Sequence, residues 1–373
     1  MKGTDILITG GYGTVGRRVA ADLAPDYPDR VVVAGRSAEK AAQLAVELGH
    51  GVRGRRVDVG EPLSIEAALE GVGLVLNGID QAEPHLLRAA IRRSLAYTDI
   101  APHLMTRRPT EAMKAEAAQT GARIVLGTGL APGISSMLAR LGADRVGAVE
   151  SVESNVLLSV GDTYGPASRA YLIEEISLPY TVRIEGREVP VRPFSSSVRV
   201  NFGPPLEERT AYLFPFSDQV FFPETLGAPT ALSRFVLEPP WLGMLLSVLV
   251  RLRVTAILRR RRAGAQERVQ RLTARLQYRY EGRNWYGVVV EVQGTRGRAR
   301  ASLVGRGQAS GAAIGAAAVV RSLAEGEVGR PGIWLAEQVV PPRPFFERLA
   351  ERGLVPTIEE RLEDSRIVPG ALI

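Results

Sequence analysis

Short, uninterrupted apolar runs alternate with helical stripes along the first 126 residues. Ile6–Thr9, Arg30–Ala34, Arg55–Val59, Val72–Ile79, Ala96–Ile100 and Arg123–Leu126 read as strands. Between them, a stripe of Val15, Val19, Ala20 and Leu23 and the segments 38–48, 64–69, 85–94 and 110–120 read as helices. A strand that is apolar at every position, not at every second one, needs cover on both faces, so the pattern predicts an α/β fold: a Rossmann-type, doubly wound parallel sheet. The rhythm changes near residue 148. Val149–Gly161, Thr181–Glu185, Glu188–Val191, Ala274–Glu281 and Tyr286–Gly294 have strand patterns, with a turn at Gly282-Arg283-Asn284 and a covering helix at Ala167–Glu175. Strands spaced as hairpins predict a second, α+β domain on a mixed or antiparallel sheet, over about 148–303. Pro204–Pro240, with Tyr212, Phe214, Phe216, Phe221 and Phe222, reads as a packed loop, or as a rim over a ligand.

The turn after the first strand carries the clearest chemistry. Gly11, Gly13 and Gly16 satisfy G-x-G-x-x-G between a strand and a helix, where glycine permits the tight turn, the approach of backbone to a pyrophosphate, and close helix–strand packing. Gly10, Gly11, Tyr12, Gly13, Thr14, Val15 and Gly16 are the candidate dinucleotide loop. Its anchor is the positive end of the following helix, which favours an anion without a cationic side chain. An NAD site would place an acid at the end of the second strand to hold the ribose hydroxyls. Here that place holds Arg36 and Ser37, with Lys40 one turn on, a set suited to a 2′-phosphate, so the expected cofactor is NADP(H). Asp58 is either an adenine contact or the cap of the next turn. Asn77-Gly78 ends an apolar strand at the carboxyl edge of the sheet and is a candidate for lining the nicotinamide ribose. Tyr97, Asp99 and His103 follow at the next such edge and are the candidate proton sources, with turn capping as the alternative for Asp99.

The 373-residue chain contains no cysteine, which excludes disulfides, thiolate nucleophiles and cysteine-ligated metals. Its three histidines, His50, His85 and His103, have no metal-ligand spacing, so no metal is expected. The chain opens directly into a strand without a signal-peptide pattern, and a cytoplasmic location is expected. The formal charge of +7 comes mainly from scattered arginines without a nucleic-acid-binding motif, and no nucleic-acid partner is expected. The exception is Arg259–Arg262, which ends the apolar segment beginning at Trp241. Arg251 and Arg253 interrupt that segment, leaving too few clean residues for a membrane span. Segment 241–262 therefore reads as a buried helix, with a dimer interface, a peripheral membrane contact or a lid as alternatives.

The glycine motif, AGRSAEKAAQLA at 34–45, YTDIA at 97–101 and GLAPGISSMLA from Gly129 together resemble the saccharopine dehydrogenase-like reductases. The tail RGQASGAAIGAAAVVRSLAEGEVGRPGIWLAEQVV, 306–340, is similar to the segment by which that family's chain returns to its first domain. The resemblance implies a nucleotide domain of 1–147 completed by 304–373, a discontinuous second domain, and hydride transfer between a nicotinamide and the C–N unit of an amino or imino acid. Such a substrate needs a carboxylate clamp, for which Arg169, Arg183 and Arg283 are available. The short middle and the apolar 241–258 segment depart from the amino-acid pattern and keep open an enoyl (C=C) substrate. A non-catalytic NADPH sensor is the remaining alternative, because a glycine motif establishes binding chemistry only. A homodimer is expected.

Overall fold

The computed structural model describes residues 3–81, 83–100, 109–162, 175–176, 178–252, 275–362 and 368–370. The chain forms two compact units: Met1–Gly133 with Ala309–Arg352, and Ile134–Gln308 with Gly353–Ile373. The hydrophobic pattern put the division 14 residues later, at 147/148, because the helix Ile134–Val146 is apolar enough to belong to either sheet. It packs in the second unit, where Gly142 permits close approach: a Cβ there would lie 2.8 Å from Val292 Cγ2.

In the first unit, β1 (Asp5–Thr9), β2 (Val31–Gly35), β3 (Arg53–Arg56), β4 (Val72–Asn77), β5 (Ala96–Asp99), β6 (Arg123–Leu126) and β15 (Gly332–Leu335) form one sheet in the order β15-β6-β5-β4-β1-β2-β3. Every pairing is parallel. The continuous apolar runs have the predicted cause, since all residues of β1 and β2 are buried. The third strand lies at 53–56, two residues before the expected start. This edge strand is an arginine-rich run, Arg53-Gly54-Arg55-Arg56, that gives no hydrophobic signal. Arg53 Nη2 bonds Asp5 Oδ1 at 2.6 Å, carrying charge onto the sheet edge. Strand order reverses between β1 and β4, where Thr9 pairs with Asn77, so the two diverging crossovers leave a crevice at those carboxyl ends.

The chain re-enters this unit along the helix Gln308–Ala324, whose small residues are buried on nearly every side. Arg321 secures it to the helix Gly16–Leu23. Its guanidinium reaches Asp22 Oδ2 at 2.8 Å and Asp26 Oδ2 at 2.5 Å, and these carboxylates hold its pKa above the ordinary arginine value despite partial burial.

The second unit is built on a ten-stranded mixed sheet. Its main path is β10 (Ser197–Asn201), β11 (Glu208–Leu213), β12 (Thr230–Glu238), β7 (Val149–Ser159), β13 (Trp285–Gly294), β14 (Gly297–Arg306), β16 (Thr357–Leu362) and β17 (Val368–Gly370), with β8 (Tyr180–Ile184) and β9 (Arg187–Val191) off β12. Only β12 and β7 pair in parallel among these described strands. The Pro- and aromatic-rich segment is not a loop: β11, the helix Asp218–Thr225 and all of β12 lie within it. Prolines punctuate it while Phe214, Phe216 and Phe235 pack with Phe194 and Tyr212 in one buried cluster, at centroid distances from 4.8 to 6.5 Å. Residues 275–279, expected in a strand, are helical. The predicted helix 167–175 lies almost wholly outside the described residues.

Candidate active site

The loop after β1 is shaped by positions that cannot accept a side chain. Gly10 has φ +68°, and a Cβ on Gly16 would lie 2.3 Å from Gly10 O and 3.0 Å from Gly11 Cα, both rigid backbone atoms. On Gly11 it would come within 2.9 Å of Ile8 O and of Val33 Cβ. Gly13 N donates to Gly10 O (2.8 Å) and Gly11 N to Ala34 O (3.0 Å), which closes the turn onto β2. The helix Gly16–Leu23 starts there, N-capped by Val15 without a side-chain cap, and the Arg18 guanidinium donates back to the Thr14 carbonyl. A cradle that any Cβ would fill, at the free N–H end of a helix, fits a pyrophosphate.

The end of β2 fits a 2′-phosphate. Arg36 and Lys40 are exposed, and Ser37 caps the helix Ala38–Leu48 by accepting from Lys40 N at 3.2 Å. This puts two exposed cations at a helix N-terminus, which favours a dianion by charge and by backbone donors together. Tyr12 joins the two halves. Its hydroxyl accepts from Ser37 N at 3.0 Å, and its ring lies where a Cβ on Gly35 would be, 2.6 to 2.7 Å away. Asp58 makes the turn cap: its Oδ1 accepts from Gly60 N at 3.0 Å.

A family model described as the saccharopine dehydrogenase NADP binding domain matches residues 6–125. The matched residues, about a third of the chain, are similar to that domain. The fold of the whole chain is similar to that of apo histidine-tagged saccharopine dehydrogenase (L-Glu forming) from Saccharomyces cerevisiae, at 17% identity and a TM-score of 0.70, covering 96% of this chain and 100% of that one. More local likenesses are to triphenylmethane reductase of Citrobacter sp. complexed with NADP(H) (20% identity, 33% of this chain, 48% of that one, TM-score 0.27) and to Pen from Bacillus thuringiensis (15%, 34%, 49%, 0.28). Residues 6–125 are thus an NADP-binding domain of the saccharopine dehydrogenase type, and the whole chain shares the fold of that enzyme.

The carboxyl ends of β1, β4, β5 and β6 meet in a polar network that was legible in the sequence only in part. Thr9 Oγ1 donates to Asn77 Oδ1 at 2.7 Å, the same oxygen accepts from Ile79 N at 3.2 Å, and Asn77 Nδ2 donates to Ile79 O at 2.9 Å. Asn77 is buried and spent on holding the turn, whereas its neighbour Gly78 is exposed at the crevice. Thr98 and Thr128 share a hydroxyl–hydroxyl bond of 2.9 Å, and Thr128 Oγ1 donates to Asp99 O at 2.8 Å. Thr9 and Thr128 were missed. The signal available for both was a polar residue ending, or closely following, an all-apolar strand.

Asp99 stands beside Asn77 in register and accepts from Gly127 N at 3.2 Å. Its residue is 6% exposed, and burial lifts its pKa from 3.8 to about 7; the Gly127 hydrogen bond opposes the rise and the nearby Asp80 charge adds to it. Tyr97, two residues earlier on the same face, is fully buried, and burial with the Asp99 charge pushes its hydroxyl well above 10. A phenol so disposed holds its proton at neutral pH. His103 lies outside the described residues, as does Arg169. Arg183 and Arg283 are exposed in the second unit, Arg283 lying 5.6 Å from the Tyr280 ring centre. Among the described residues of that unit Arg234 is buried, and it is committed to Glu153 at 2.5 Å.

Proposed function

We propose that this chain moves hydride between NADP(H) and the C–N unit of an amino or imino acid, with Asp99 as the proton source. The observation that carries the reading is a buried carboxyl that titrates near neutrality at the carboxyl edge of a parallel sheet, one strand from the point where strand order reverses. The glycine cradle binds the pyrophosphate, and Arg36, Ser37 and Lys40 take the 2′-phosphate. The exposed backbone of Gly78 leaves room for the nicotinamide ribose, with Asn77 as the positioning residue that fixes its turn. When bound, the cofactor supplies or accepts the hydride. Reduction of an imine requires a proton on nitrogen, and a carboxyl with a pKa of about 7 is half protonated at neutral pH, suited to giving that proton and recovering it. Tyr97, two residues earlier on the same strand, is buried and keeps its own proton at neutral pH. The likeness in fold to an enzyme named as an L-Glu-forming saccharopine dehydrogenase supports a C–N substrate over an enoyl one. So does the helix Trp241–Arg251, whose apolar side chains point largely to the surface instead of lining an apolar interior site.

The test is NADPH oxidation across a panel of amino acid and keto acid pairs and enoyl thioesters, for the wild type and Asp99→Asn. Turnover on C–N substrates alone is expected. The variant should lose about 10²–10⁴-fold in kcat with NADPH binding intact. Turnover on enoyl thioesters only, or an unchanged kcat in Asp99→Asn, overturns the substrate or the proton-source assignment respectively. Stoichiometric NADPH binding with no turnover on any substrate supports the sensor reading.

A further inference from the structure

Tyr12 stands between the glycine cradle and the end of β2. Its backbone belongs to the loop, and its side chain crosses to the N-terminus of the helix Ala38–Leu48, where Oη accepts from Ser37 N at 3.0 Å. The ring lies against Gly35. A Cβ there would be 2.6 Å from Tyr12 Cε1 and 2.7 Å from Cζ and Oη, so a glycine at 35 is what leaves room for the ring in this place. The loop that carries Tyr12 is itself tied to β2 by the bond from Gly11 N to Ala34 O at 3.0 Å. Both ends of the side chain are therefore held, although the residue is only partly buried. A phenol has one proton to give and lone pairs with which to accept. Accepting from Ser37 N leaves the Tyr12 proton to be given elsewhere, and among the described residues nothing accepts it. A hydroxyl that accepts from a backbone N–H is also the stronger donor.

We infer that Tyr12 reads the 2′-phosphate of NADP(H) directly, donating its hydroxyl proton to a phosphate oxygen, and so helps to tell NADPH from NADH. The inference rests on the 2′-phosphate seat proposed above. In the dinucleotide the adenosine ribose joins the pyrophosphate to the 2′-phosphate, and the Tyr12 side chain spans the same interval, from the cradle to the helix end at Ser37. Arg36 and Lys40 are exposed at that corner and supply attraction, whereas Tyr12 supplies a donor of fixed direction. Held by Ser37 N and packed on Gly35, it loses little further freedom when it binds. A ribose 2′-hydroxyl gains from the same donor only a neutral hydrogen bond, about half as strong as one to a charged phosphate, so the phenol proton favours NADPH. Gly35 is the positioning residue, since it decides where the phenol stands.

The experiment is calorimetric titration of the full chain with NADPH and with NADH, for the wild type, Tyr12→Phe, Gly35→Ala and Arg36→Ala. Phenylalanine keeps the ring against Gly35 and removes the hydroxyl alone, and an unchanged Tm certifies its fold. Tyr12→Phe should weaken NADPH binding about tenfold or more and leave NADH within about twofold. Gly35→Ala retains the hydroxyl but displaces it, and should lose NADPH preference by a similar factor. Unchanged NADPH affinity in Tyr12→Phe, beside a selective NADPH loss in Arg36→Ala, leaves the seat standing and overturns the role of Tyr12 alone. Equal losses for both nucleotides in Tyr12→Phe overturn it as well. So does tighter NADPH binding by that variant, because the phenol would then be an occupant that the phosphate must displace. Equal losses for both nucleotides in Arg36→Ala remove the 2′-phosphate seat itself, and the inference with it.

Discussion

Replacing Asp99 with asparagine should make stability less dependent on pH, and the sign follows from the geometry. The side chain is enclosed, accepts one backbone hydrogen bond and lies near a second carboxylate. Its pKa in the folded chain is about 7, against 3.8 for an ordinary aspartate. Between those values the folded state holds a proton that the unfolded chain has released, so this group lowers stability progressively as pH rises from about 4 to about 7. At ~1.4 kcal/mol per pKa unit the full cost above pH 7 is roughly 4 kcal/mol. Asparagine retains the shape and an oxygen for Gly127 N–H but carries no charge. Urea denaturation at pH 5 and pH 8 should show the wild type losing about 2–3 kcal/mol relative to Asp99→Asn over that interval. The variant should be the more stable protein at pH 8, even as it loses turnover. Parallel stability–pH curves for the two proteins would refute the claim that Asp99 is desolvated and ionises at cost.

Three further outcomes test other parts of the structure. Arg36→Ala should weaken NADPH binding by about 1–3 kcal/mol and leave NADH within a factor of about two, measured by parallel calorimetric titrations; equal losses for both would remove Arg36 from the 2′-phosphate. Gly16→Ala forces a methyl to 2.3 Å from Gly10 O, so the loop must open. It should lower stability by about 1–3 kcal/mol and abolish detectable NADPH binding, and a variant that binds normally would contradict the cradle. Arg321→Ala removes one of the two guanidinium groups shared by Asp22 and Asp26, Arg352 remaining 2.6 Å from Asp22 and 3.5 Å from Asp26, and should cost about 1–3 kcal/mol in urea denaturation at neutral pH, whereas an unchanged midpoint would show that the returning helix does not depend on it.

Where a local pattern met a single physical requirement, the amino-acid sequence was sufficient. Uninterrupted apolar runs such as Val31–Ala34 are stable only between two layers of helix, so the parallel α/β sheet was legible before any coordinates. Gly11, Gly13 and Gly16 exclude side chains for reasons tied to one turn, and Arg36 with Ser37 sits at a distance from them fixed by that strand–helix–strand unit. Tertiary structure decided what depended on partners remote in sequence. Asp99 differs from an ordinary turn aspartate only through its burial and its bond to Gly127, 28 residues on. Thr9 reaches Asn77 because β1 and β4 are neighbours across the reversal of strand order. The mixed second sheet was harder to read since its outer strands, such as β9 and β10, are largely exposed, and pairing partners such as β12 and β7 are distant along the chain. Hydrophobicity likewise marked the helix at Trp241 as apolar without giving the direction of its apolar face. Periodicity defines a stripe, but only packing decides whether anything covers it.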